Sequence, residues 1–182
     1  MFAALVHVGL VIGLAAITAT PPAAAPAGDK PEGKMAITDK PLTVKIEPSE
    51  QLRLDLAAAV KPAAKVSIRL TLHGVVPPER RDLTEGIRVF LNKDDATRTT
   101  PIDDPHYVSS IVFAATNERD PKGFHMDLTR TMAELTRQGK LDLAKPLRIT
   151  LIGVPAEGLK DLPPGFSVPV AKVSIAADAI RK

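Results

Sequence analysis

Alternation of apolar and polar side chains, repeated along most of the sequence, is the feature that most constrains what this chain can fold into. Val66, Ile68, Leu70 and Leu72 alternate with Ser67, Arg69 and Thr71 in the longest clean run. Ile87, Val89 and Leu91 alternate with Arg88, Phe90 and Asn92, and Val108, Ser110 and Val112 with Tyr107, Ser109 and Ile111. A period of two sends successive side chains to opposite faces of an extended backbone, so each run specifies a half-buried strand. Shorter runs at Leu42–Ile46, Gln51–Leu56 and Leu147–Leu151 follow the same rule. Val168, Val170, Val173 and Ile175 form a last strand whose alternation is disturbed near Ala171.

Turn signals separate these runs at regular spacing: Pro48, the loop Pro77 to Asp82, the Asp- and Thr-rich stretch Asn92 to Pro105, the turn Asn117 to Gly123, and Pro155 to Pro164. Leu128, Met132 and Leu135 recur at helical spacing, with Asp127 or Thr129 available as a cap and Gly139 where a helix would stop. The spacing therefore predicts one short helix over Arg130–Gln138, packed on the sheets. About eight strands and one helix define an all-β fold, an antiparallel β-sandwich of jelly-roll or Ig-like type. Its interior is expected to hold Ile68, Leu70, Val89, Leu91, Val112, Leu128, Ile149 and Leu151, each in the apolar phase of its run. Aromatics make up only 3% of the chain and Trp is absent, so aliphatic side chains must build that core.

Before the sandwich, two segments differ in kind. Residues 1–20 hold no Asp, Glu, Lys or Arg between Phe2 and Thr20 and form an apolar stretch near the lower length limit for a membrane-spanning helix. It is expected to be an apolar helix serving as a signal peptide or a membrane anchor, giving an exported chain, periplasmic or extracellular. Ala23-Ala24-Ala25 would suit cleavage, while a basic residue ahead of the apolar run is lacking. Residues 21–39 are rich in Pro and Ala and expected to be a linker, leaving residues 40–178 as the sandwich domain.

Composition excludes several functions. The 24 Lys and Arg face 21 Asp and Glu and are interspersed with them, so no cationic stripe is available for tracking a nucleic acid backbone. With no Cys there is no disulfide, thiolate nucleophile or Cys-based metal site. Gly-x-Ser-x-Gly, Walker A, Gly-x-Gly-x-x-Gly and His-Glu-x-x-His patterns are all missing. The four histidines, His7, His73, His106 and His125, show no i,i+4 pair. A mononuclear site from some of them with Met126 is a weaker alternative to surface or packing roles. Asp94-Asp95 and Asp103-Asp104 flank one loop but lack the Gly and bidentate Glu of a calcium loop, which favours a solvated loop with Asx turns. No catalytic residue, metal ligand or cofactor is assigned.

The run Gly86-Ile87-Arg88-Val89-Phe90-Leu91-Asn92, then Pro105-His106-Tyr107-Val108-Ser109-Ser110-Ile111-Val112-Phe113, then Phe124-His125-Met126-Asp127-Leu128-Thr129 and Leu147-Arg148-Ile149-Thr150-Leu151-Ile152, resembles the C-terminal β-sandwich domain of polyphenol oxidases and tyrosinases. The resemblance extends over residues 36–177. It departs from the family where Ile87-Arg88-Val89-Phe90 replaces the Lys-Phe-Asp-Val wording and where no copper-binding domain is present. Six imidazoles would be needed for a dicopper centre, and four are available, so the family's chemistry is not carried over. What the resemblance implies is a non-catalytic module that binds or shields a partner oxidase, inserting a bulky side chain into its copper pocket; Tyr107, the only Tyr, and Phe124, after the Lys122-Gly123 turn, are the candidates. The alternative is a structural or accessory subunit of an envelope complex, tethered through residues 2–20.

Overall fold

The computed structural model describes residues 35–61, 65–113 and 120–180. Their nine strands are β1 (Met35–Ile37), β2 (Leu42–Ile46), β3 (Val66–Val75), β4 (Thr84–Leu91), β5 (Tyr107–Val112), β6 (Lys122–Asp127), β7 (Leu147–Pro155), β8 (Val168–Val170) and β9 (Lys172–Ala179). Two helices join them, α1 (Glu50–Ala59) and α2 (Thr129–Arg137). All pairings are antiparallel, in sheets of order β2-β7-β4-β5, β6-β3-β9 and β1-β8. The expected apolar helix over residues 1–20 lies outside the described residues.

One hydrophobic core joins the inner faces. Ile87, Val89, Leu91, Ile149 and Leu151 from the four-stranded sheet meet Ile68, Leu70, Leu72, Met126, Val173 and Ile175 from the three-stranded sheet. Leu128, just ahead of α2, Met132 and Leu135 within it and Leu56 of α1 close it, and all four are fully buried. Burial of this size is the main favourable contribution to folding, at about 25 cal/mol per Å² of apolar surface. A second, smaller cluster of Phe90, Ala96 and Ile152, with Tyr107 against it, lies on the other face of the four-stranded sheet. There the loop between β4 and β5 folds back over the strands, and Arg88 holds it by donating to the carbonyls of Arg98 and Thr100.

Five expectations need correction. Gln51–Leu56 lies in α1, a helix and not a strand. Ser49 caps it, accepting from the Leu52 amide at 3.2 Å, and Leu56 and Ala59 turn inward while Leu54 is 61% exposed. A capping Ser and an Ala-rich run outweigh a local alternation of three leucines. Among the described residues there are accordingly two α-helices, not one; α2 begins at Thr129, whose amide donates to Asp127 Oδ1. Val168 to Ile175 is two strands in different sheets, broken at Ala171, whose amide donates to the His73 carbonyl beside the left-handed Gly74. Strand β1 lies ahead of residue 40, where the sandwich was expected to begin, and belongs to it, pairing with β8 and burying Ile37 completely.

Val112 is the fifth. It is 67% exposed, and Ile111 is the buried residue. The register between β4 and β5 shifts between Val89 and Phe90, pairing Val89 with Ser109 and Phe90 with Tyr107. Val108 is the extra residue of that bulge, and one extra residue inverts the phase of alternation beyond it. The other seven expected core residues are fully buried.

Candidate functional site

Strand β5 is one edge of the four-stranded sheet. On either side of the bulge, its outer face carries Tyr107 before it and Ser110 and Val112 after it, opposite Phe90, Arg88 and Gly86 of β4. The Tyr107 ring meets Phe90 edge-on, with centroids 5.7 Å apart, and its hydroxyl lies 2.8 Å from Ser110 Oγ. This leaves Tyr107 half-buried, held by one ring and one hydroxyl. Thr131 of α2 donates to the Tyr107 carbonyl at 3.0 Å, tying the start of the edge to the helix. Phe124 sits within β6, opposite Leu72, and its half-buried ring packs on the main core. Tyr107 and Phe124 are thus in different sheets.

Val112 is what sequence reasoning missed on this edge. Ile111, Val112 and Phe113 are three apolar residues in succession, and alternation alone cannot assign their faces. The bulge decides it, and nothing at Val108 signals a bulge in advance.

The histidines remain apart. His106 is a structural residue: its Nδ1 donates to the Leu91 carbonyl at 2.8 Å while Leu91 N donates back to the His106 carbonyl. His125 Nδ1 is 3.0 Å from Thr71 Oγ1, and His73 Nε2 is 2.8 Å from Ser174 Oγ, both on the outer face of the three-stranded sheet. Met126, by contrast, points into the core. His7 lies outside the described residues. The acidic pairs meet around a lysine and not around a metal site. Asp94 binds Arg148 at 2.7 Å, and Asp95 and Asp104 both bind Lys93, at 3.5 and 3.4 Å. Among the described residues no group of three or more His, Asp or Glu is placed to hold a metal ion. Nor, among them, is any helix long and apolar enough to cross a membrane.

Ionic contacts elsewhere shape loops. Burial pulls the Lys93 ammonium down, but Asp104 and Asp95 outweigh it and hold the group above its ordinary value. Hydrogen bonds from Arg137 and Gln138 hold Glu134 below the usual carboxylate range, and the Ala144 amide, with Lys145, does the same for Asp142.

Fold and site together define an antiparallel β-sandwich module with one aromatic-bearing sheet edge. Solved structures that share this fold include latent polyphenol oxidases and a latent tyrosinase. Recombinant latent aurone synthase, a polyphenol oxidase, matches with a TM-score of 0.51 at 18% identity when co-crystallised with hexatungstotellurate and soaked in peroxide, over 82% of this chain and 26% of that one. The recombinant enzyme in a second structure matches at 0.51 and 16%, over 80% and 26%. Latent apple tyrosinase matches at 0.50 and 16%, over 81% and 28%. This chain therefore spans about a quarter of the length of those enzymes, and its fold is that of their C-terminal region alone. No protein-family model and no curated protein sequence matches it.

Proposed function

We propose that this chain is a non-catalytic module that docks on a separate tyrosinase-like copper oxidase and covers its active-site entrance. The observation that carries this reading is the shared fold: about four fifths of this chain follows one region of enzymes whose solved forms are latent. A region that covers an active site within one chain can act between chains if the interface is retained. The β5 edge supports such an interface, since Tyr107 offers an amphipathic ring and Val112 an exposed apolar neighbour on the same face. Aromatic anchors of this kind dominate the energetics of protein interfaces. Phe124 in this reading holds β6 to the core.

The uncharged run Phe2–Thr20 supports export, and with it a second reading, an envelope-tethered accessory subunit of a membrane complex. A reporter fused to residues 1–40 should leave the cytoplasm; retention there would remove the export proposal. The mature N-terminal mass then separates cleaved signal from anchor.

To test the principal reading, the full chain is purified and assayed for copper by elemental analysis and for diphenol oxidation, with neither expected. Stoichiometric copper with turnover would overturn it. Affinity capture from a membrane fraction should then recover a copper oxidase whose diphenol turnover falls when the chain is added, and Tyr107→Ala should relieve that inhibition. Recovery of a membrane complex without an oxidase would favour the second reading.

A further inference from the structure

A cleft of about 350 Å³ opens between β2, the start of β7 and the loop that follows α2, lined by Lys45, Asn92, Lys140, Asp142, Lys145 and Arg148. Lys45 and Arg148 are direct cross-strand partners in the β2–β7 ladder. Like charges placed opposite one another on a sheet destabilise it. The sequence nevertheless adds two more cations to the same cleft. Lys145 is offset by Asp142 at 3.2 Å and Arg148 by Asp94 at 2.7 Å. Lys45 and Lys140 have no carboxylate within ion-pair reach among the described residues, so the cleft carries two cations in excess. A lone Lys45 would be explained as a charge that blunts an edge strand; four cations converging on one concavity are not.

The backbone that holds them is fixed. Gly139 takes the left-handed conformation that ends α2, and the Lys140 amide donates to the Leu135 carbonyl at 2.8 Å. Asp142 Oδ1 accepts from the Ala144 amide, and the Lys145 amide donates to the Asp142 carbonyl. On the opposite wall Asn92 exchanges two hydrogen bonds with Arg148, its amide donating to the Arg148 carbonyl at 2.7 Å and its Oδ1 accepting from the Arg148 amide at 2.8 Å. With Oδ1 engaged there, the Asn92 side chain still has its Nδ2 donors.

We propose that this cleft binds a phosphate-bearing dianion, whose two charges neutralise Lys45 and Lys140 while Arg148 and Lys145 supply further donors. Its volume of about 350 Å³ admits a pyrophosphate or a small phosphate ester, and a lipid phosphomonoester at a membrane surface presents the same chemistry. The site lies apart from the β5 edge and does not depend on the docking reading.

Inorganic pyrophosphate is titrated into the full chain by calorimetry at low salt, beside sedimentation with vesicles containing phosphatidic acid, whose phosphomonoester carries up to two charges. Lys45→Gln with Lys140→Gln should weaken the interaction by about tenfold or more, whereas Lys40→Gln with Lys172→Gln, an equal charge change at exposed positions elsewhere, should leave it nearly unchanged. Binding of pyrophosphate assigns a soluble ligand; binding of vesicles alone assigns a lipid phosphate. Absence of both, or equal weakening in the two double variants, would overturn the proposal.

Discussion

Gly86 of β4 lies tightly against Ile111 of β5. A Cβ there would lie 1.9 Å from the Ile111 carbonyl oxygen, so Gly86→Ala must push the edge strand away. Overpacking of this kind costs about 1–3 kcal/mol, to be read from denaturant unfolding. Two neighbouring positions test the phase of β5 against β4. Val89 is fully buried, and Val89→Asp should cost about 4 kcal/mol or more and leave little folded protein. Val112 is exposed, and Val112→Asp should change stability by less than about 0.5 kcal/mol. Strict alternation would make the two equally damaging, and a thermal melt of each tells them apart. Lys93 adds a pH signature. Its folded-state value is raised by Asp104 and Asp95, so its contribution is complete below the unfolded value of about 10.4 and fades as pH rises through the folded one. The stability gap between wild type and Lys93→Gln should therefore be constant near neutral pH and close in alkali; a gap unchanged up to pH 12 would remove the assignment.

At the scale of elements, legibility follows how many independent signals agree. β3, β4 and β7 combine long alternation with flanking turns, and all three are strands. α2 has apolar spacing, a polar start and a terminal Gly, and it forms within a residue of its expected bounds. α1 sets two signals against each other, because Leu52, Leu54 and Leu56 alternate while Ser49 and the alanines favour helix. Tertiary packing decides between them by giving Leu56 a place in the core and Leu54 none. Leu56→Ala should cost about 2–5 kcal/mol, and Leu54→Ala less than about 0.5 kcal/mol. Equal losses would restore a strand. The candidate site was half legible for a related reason. Tyr107 stands out as the only Tyr, but its exposed companion Val112 depends on a bulge, which is a property of two strands together. The cation cleft is harder still to see, since Lys45 and Arg148 are over a hundred residues apart and become neighbours only through the β2–β7 register.

At the scale of the molecule, the ends of the described chain are bound to each other. β1 pairs with β8, β2 with β7 and β3 with β9, so strands from the first half find partners in the second. The β3–β9 ladder alone runs through eight residue pairs, from Val66–Ala179 to His73–Lys172. Removing the chain after Ser167 would delete both β8 and β9, leave β1 unpaired, expose one edge of β3 and strip Val168, Val170, Val173 and Ile175 from the core. Pairings this distant in sequence form only when the whole chain closes, because loop entropy must be met before the contacts stabilise anything. The truncated chain should not retain a stable remnant made of β2, β4, β5 and β7, even though that sheet keeps all its own strands. Its inner face would have lost much of the layer it packs against, and a sheet with one apolar face needs a covering layer. The expected result is collapse of amide chemical-shift dispersion in a nitrogen-correlated proton spectrum, together with rapid proteolysis. Native-like dispersion for Leu42–Ile46 and Leu147–Pro155 in the truncated chain would show that the four-stranded sheet folds by itself, and that closure of the two halves is a late addition to a fold already made.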